Sequence, residues 1–142
     1  MIAYADTSFL FSLYIPDAHA ATASAMMRQT TLPLLSSDLG EFEFTNAVCG
    51  RVFTKDLRAQ DVQGLLDLLS KDIATGILHL TTLSTAVFAR GRQVARSHTP
   101  RIGAKGLDVL HVASALVFGA DVFYTFDRRQ AKLAKAVGLK TP

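Results

Sequence analysis

Ile2-Ala3-Tyr4-Ala5-Asp6-Thr7-Ser8 decides how the rest of the chain is read. Small or apolar residues run into a carboxylate and two hydroxyls, and Phe9-Leu10-Phe11-Ser12-Leu13 follows. A short apolar run bounded by polar residues predicts a buried strand. Asp-Thr-Ser ahead of good helix formers predicts a helix start, with a side-chain oxygen accepting from the open N–H groups. Asp6 then stands at the carboxyl end of a strand, the edge at which open α/β sheets bind ligands. Taken alone, Asp6 reads equally well as a helix cap.

The same strand-then-helix pattern recurs further on. The sequence predicts helices over 9–14 and 18–29, and a strand over 34–36. Ser37-Asp38 opens a third helix, with Asp38 as its N-cap, that runs through Glu41 and Glu43 to about Thr54. A leucine-striped helix over 62–73, a strand over 77–80 and a helix over 85–97 capped by Ser84 follow. His98 to Gly106 is rich in breakers and charge and reads as a loop, with 96–105 a candidate RNA-contacting segment. A buried helix over 107–118, a strand over 122–125 and a helix over 128–137 come next, and Leu139-Lys140-Thr141-Pro142 leaves room for a stub of a fifth strand. The expected fold is a three-layer α/β/α sandwich around a mainly parallel sheet of four to five strands, as a single domain over 1–142.

Composition narrows the class. Of 142 residues 49% are apolar, enough for one sizeable core. No apolar run reaches the roughly 18–20 residues that cross a bilayer. The first residues are strand material without a basic segment before them, so no signal peptide is expected. The single cysteine, Cys49, suits a reducing cytoplasm and reads as small core filler beside Val48 and Val52. The net charge of +3 hides an asymmetry: from Arg90 onward ten basic residues face three acids, about +7, which leaves about −4 for the rest. A basic half suits a polyanionic partner as well as it suits a solvated face.

Four acids share one kind of setting. Asp6 and Asp127 each follow an apolar strand and precede a helix. Asp108 lies in the first turn of a helix, and Glu43 shares a helix face with Asn46, Ala47 and Gly50. Each has a plain structural reading as a helix-end or solvated residue. Together they raise a different question, because two carboxylates about 5 Å apart repel by roughly 3 kcal/mol at an effective dielectric near 20. If the four converge, a cation is needed, and oxygen ligands without His or Cys select Mg²⁺ or Mn²⁺. Such a site in a protein with a basic half suits phosphodiester hydrolysis. Glu41 is the rival to Glu43. His111, one turn after Asp108, reads as a packed histidine rather than a general base.

Ala5-Asp6-Thr7-Ser8, Glu43-Phe44-Thr45-Asn46-Ala47, Leu107-Asp108-Val109-Leu110-His111-Val112-Ala113-Ser114-Ala115 and Tyr124-Thr125-Phe126-Asp127 stand in this order between Ile2 and Leu139. In that order and spacing the chain resembles the PIN-domain ribonucleases, and most of all the toxin subunits of VapBC toxin–antitoxin pairs. The resemblance implies a five-stranded parallel sheet and an endoribonuclease in which Asp6, Glu43, Asp108 and Asp127 surround one or two Mg²⁺ or Mn²⁺ ions. It implies that the hydroxyl of Ser8 or Thr7 orients a metal-bound water, with Asn46 as a further supporting residue. It also implies a homodimer and a cognate antitoxin whose tail fills the active-site groove. One departure is visible: many relatives carry a further acid just after the fourth, where this chain has Arg128, Arg129 and Gln130. Arg128 there suggests phosphate contact.

The expectation is therefore a cytoplasmic, metal-dependent endoribonuclease that leaves 5′-phosphate and 3′-hydroxyl ends. A haloacid-dehalogenase-type phosphatase would carry a second acid two residues after the first, where Ser8 stands. A receiver-like signalling domain would need an acidic pair before its first strand. A non-catalytic RNA- or protein-binding module of the same fold remains the alternative, and four gathered acids argue against it.

Overall fold

A computed structural model describes all 142 residues. In chain order the elements are β1 (Ala3–Ala5), α1 (Thr7–Tyr14), α2 (Ala20–Arg28), β2 (Leu34–Ser37), α3 (Asp38–Phe53), α4 (Val62–Ala74), β3 (Leu78–Thr81), α5 (Thr85–Ile102), α6 (Gly106–Val117), β4 (Val122–Tyr124) and α7 (Arg128–Ala136), with a short 3₁₀ turn at Ala59–Asp61 before α4. The sheet order is β3-β2-β1-β4, and every pairing is parallel.

Neighbouring strand residues part to opposite faces. Ala3, Ala5, Leu34, Val122 and Tyr124 join one buried cluster with Phe9, Leu10, Ala23, Phe44, Val48 and Leu69 of α1–α4. Tyr4, Leu35 and Phe123 join the other, with Val94, Val109, Val112, Leu133 and Ala134 of α5–α7. Helices thus cover both faces, which is what strands apolar on both sides require. The three-layer α/β/α sandwich with a parallel sheet is the architecture the sequence predicts. The fifth strand is reduced to one parallel bridge, Val122 with Lys140.

Four local expectations need correction. The segment from His98 to Ile102 is not loop but the last turn and a half of α5, which continues through Pro100. A proline loses only its own N–H bond and strains the preceding turn. Here α5 is held along α6, with Gly91 against Leu110 and Ala113, and Gly103 at φ 70° closes the helix by donating its N–H to Thr99 O at 2.7 Å. Of the candidate RNA-contacting segment 96–105, residues 96–102 are thus helical and only Gly103–Lys105 is a link between helices. Ser37, not Asp38, is the N-cap of α3, accepting from Gly40 N–H at 3.1 Å. Asp38 instead accepts from the backbone N–H groups of Leu39 and Leu83. Cys49 is exposed, because the buried stripe of α3 runs Gly40, Phe44, Val48 at four-residue steps and Cys49 falls about 100° beyond it. Ser84 occupies the N-cap position of α5 but makes no capping bond.

Gly40 sets how closely α3 meets the sheet. A Cβ there would come 2.6 Å from Ser36 Oγ, whose O–H donates to Ala5 O at 2.9 Å. The close approach brings the first turns of α3, and Glu43 with them, onto the carboxyl edge of β1. No helix is long and apolar enough to cross a membrane.

Candidate active site

β1 ends directly in Asp6, which is 1% exposed and caps α1 by accepting the Phe9 N–H on Oδ1 at 2.9 Å. Ser8 O–H donates to the same oxygen at 2.7 Å, and Thr125 O–H donates to Oδ2 at 2.5 Å. Ser8 Oγ also accepts the Phe126 N–H at 2.9 Å, so the ends of the neighbouring strands β1 and β4 are tied through one carboxylate and two hydroxyls. Burial raises the Asp6 pKa above its ordinary value, against the bonds from Thr125, Phe9 and Ser8 and the charge of His111. A carboxylate that costs this much to ionise favours a nearby cation.

Glu43 reaches the same edge from α3. Thr7 O–H donates to its Oε1 at 2.8 Å, and His111 Nε2 lies 2.5 Å from that oxygen. The imidazole is 1% exposed, and its Nδ1 pairs with Tyr4 Oη at 3.0 Å, whose O–H donates to Ser37 Oγ. Partial burial raises the Glu43 pKa, but the bonds from His111 and Thr7 outweigh it and hold the carboxyl below its usual range. Burial pushes the Tyr4 hydroxyl far up, so it stays protonated. His111 is packed as expected, yet it orients Glu43, a role the sequence reading did not give it. The signal was its place on α6, three residues after Asp108 and so near it in space.

Asp108 and Asp127 are joined by one residue. Gln130 donates its side-chain Nε2–H to Asp108 Oδ1 at 3.1 Å and its backbone N–H to Asp127 Oδ1 at 2.8 Å. Burial raises the Asp108 pKa, and the negative charges of Asp127 and Glu43 raise it further, against His111 and the Lys105 N–H. Asp127 and Glu43 thus lie near enough to Asp108 for their charges to act on it. Gln130 Oε1 is buried and has no hydrogen-bond partner.

Gln130 thus joins Asp108 to Asp127, and Thr7, next to Asp6 at the end of β1, joins that strand end to Glu43. Asp127, Thr7, Ser8 and Gln130 line one cavity of about 500 Å³, and Glu43 and Asp108 line another of about 820 Å³. Glu41, in the first turn of α3, makes no side-chain hydrogen bond, whereas Glu43 is held by Thr7 and His111 beside the end of β1. Asn46 is exposed one turn after Glu43, and Arg128 is exposed at the start of α7 beside Arg129, Lys132 and Lys135. The hydroxyls of Thr7 and Ser8 point at carboxylates. Thr125 and Gln130 are the other residues to which the sequence reading gave no such role.

As the side chains stand, no three acids or histidines lie close enough to grip an ion directly. The donor set nonetheless suits a hydrated hard cation. Mg²⁺ keeps several waters and takes only one or two carboxylates, and Gln130 Oε1 offers a buried acceptor for such a water.

The family profile described as PIN domain matches residues 3–136. No curated protein sequence matches the chain. Among solved structures, VapC20 of Mycobacterium tuberculosis, described as a Sarcin-Ricin loop cleaving toxin, is 14% identical with a TM-score of 0.73, covering 97% of each chain. FitAcB of Neisseria gonorrhoeae is 16% identical with a TM-score of 0.68, over 99% of this chain and 96% of that one. VapBC2 of Rickettsia felis, solved with a DNA fragment from their promoter, is 16% identical with a TM-score of 0.67, over 100% and 98%. At these identities the likeness is one of fold.

Proposed function

The chain belongs to the PIN-domain family, and from that premise we propose that it is a metal-dependent endoribonuclease, the toxin of a toxin–antitoxin pair. The observation that supports the reading is geometric: Gln130 holds the carboxylates of Asp108 and Asp127 together, and Thr7 and His111 hold Glu43 beside the end of β1 where Asp6 stands. A protein with no use for a cation has no reason to hold that arrangement. The basic half of the chain supports a polyanionic substrate, and the toxin described for VapC20 supports the wider class.

In this reading Asp6, Glu43, Asp108 and Asp127 hold Mg²⁺ or Mn²⁺. Bound there, the ion supplies an activated water and charge stabilisation for phosphodiester hydrolysis, giving 5′-phosphate and 3′-hydroxyl ends. The chain's own residues do the rest. Ser8 and Thr125 fix Asp6, Thr7 and His111 fix Glu43, and Gln130 fixes Asp108 against Asp127. Arg128 is offered for phosphate contact and Asn46 as support beside Glu43. A homodimer and a separately encoded antitoxin complete the proposal, the latter supported by the VapBC2 relative.

The test is cleavage of a mixed RNA pool with Mg²⁺ or Mn²⁺ and again with EDTA, for wild type, Asp6→Asn and Asp108→Asn. Discrete cuts lost with EDTA and in both variants are expected. The alternative is a non-catalytic binding module, favoured by the absence of any three acids within direct gripping distance. Wild type that binds no divalent ion would establish it.

A further inference from the structure

Beside the acids, three aromatic rings form a column from the core to the surface. Phe9, fully buried, stacks on Phe126 with ring centroids 5.6 Å apart and planes at 19°. Phe126 in turn stacks on His19, at 4.3 Å and 8°. His19 is exposed, and neither of its ring nitrogens has a hydrogen-bond partner. His19 and Phe126 line the 500 Å³ cavity that Asp127 also lines, and Phe126 immediately precedes Asp127 in the chain.

The end of the column is held in advance. Asp17 accepts the His19 N–H on Oδ1 and the Ser12 O–H on Oδ2, both at 2.8 Å, which pins the turn before α2 to α1. Another wall of the cavity carries Arg51, with its guanidinium carbon 4.9 Å above the Phe11 ring. Its ion pair with Asp56 is long, 3.8 Å, and the side chain is 43% exposed.

We infer that this cavity is a base subsite: an unpaired nucleobase next to the scissile phosphate stacks on His19, with Arg51 donating to its edge or to the adjoining phosphate. A preformed flat ring and a cationic side chain on the same cavity are features by which single-stranded nucleic acid is held. The inference rests on the nuclease reading and deepens it, assigning to His19 and Arg51 a choice of cleavage position that the acids do not make.

The experiment uses a short RNA spanning a cut found in the pool assay, with each nucleotide flanking the cut replaced in turn by an abasic one. Binding is measured by fluorescence anisotropy in the Asp108→Asn background, with and without His19→Ala. Intact RNA should bind about ten-fold more weakly to His19→Ala. One abasic substitution should cost the parent protein about the same, and cost His19→Ala almost nothing, since the partner is already gone. His19→Phe, which keeps the ring, should bind like the parent. Equal binding of intact RNA by parent and His19→Ala, or additive losses at every position, overturns the base subsite while cleavage by wild type leaves the nuclease reading standing. Failure of wild type to cut any RNA overturns both.

Discussion

Gln130 donates its side-chain amide to Asp108, across 22 residues of sequence, while its backbone N–H caps against Asp127. One residue thereby sets the distance between two carboxylates from different helices. A hydrogen bond to a charged group contributes about 1.5–3 kcal/mol, and its loss displaces Asp108 at the moment its position matters. Gln130→Ala should lower metal-dependent cleavage about ten-fold or more, with unchanged circular dichroism. The measurement is kcat at saturating RNA and metal.

Asp6 and Glu43 should leave opposite marks on the pH dependence of stability. The folded pKa of Asp6 lies above 3.8, so its ionised form weighs against folding, and stability is lost as pH rises through the folded value. Asp6→Asn should therefore melt higher than wild type at neutral pH in EDTA, and the gain should vanish toward pH 3.8. The folded pKa of Glu43 lies below 4.5, so its contribution is present above 4.5 and lost as pH falls through the folded value. Glu43→Gln should melt lower than wild type at neutral pH, with the gap closing below 4.5. Thermal melts of the three proteins across this range decide both.

His111 is buried between Tyr4 and Glu43, and removing it leaves both polar partners short. His111→Ala should cost about 3 kcal/mol or more, from the lost bonds and the cavity together. His111→Gln, which can still donate to Glu43, should recover part of it. Urea unfolding of both variants is the check, and equal stability of the two would show that packing alone matters there.

Gly40→Ala brings a methyl against Ser36 Oγ, a buried hydroxyl already bonded to Ala5 O. Overpacking of this kind costs about 1–3 kcal/mol. Because α3 carries Glu43 less than one turn further on, cleavage should fall along with the melting temperature. Gly50→Ala on the same helix meets nothing within 4 Å and should be neutral or slightly stabilising.

The sheet was legible because its strands are apolar on both faces and each is followed by a cap residue, so Asp6 and Asp127 could be assigned to helix starts at one edge. Both do cap their helices, accepting from Phe9 and Gln130. Boundaries were less legible where packing outweighs local preference: Pro100 and the residues around it are poor helix formers, and α5 runs through them against α6. Cys49 was misread because its sequence neighbours are apolar, while the helix turns it away from them. His111 was marked only by its place one turn after Asp108, and its partner Glu43 lies 68 residues away. Thr125 and Gln130 could not be read at all, because their partners lie 119 and 22 residues away and nothing local marks a side chain for so distant a contact.

β1 finds its neighbour β4 only at the far end of the chain, and the Asp6 carboxylate is fastened by Thr125. Synthesis proceeds at about 5–20 residues per second, N-terminal end first. During most of that time the first strand has no β4 to pair with, and neither Asp108 nor Asp127 has emerged from the ribosome. A nascent chain therefore holds no assembled acid site. Whatever chemistry the gathered carboxylates perform begins only after translation of the segment from Val122 to Gln130 has released it to fold.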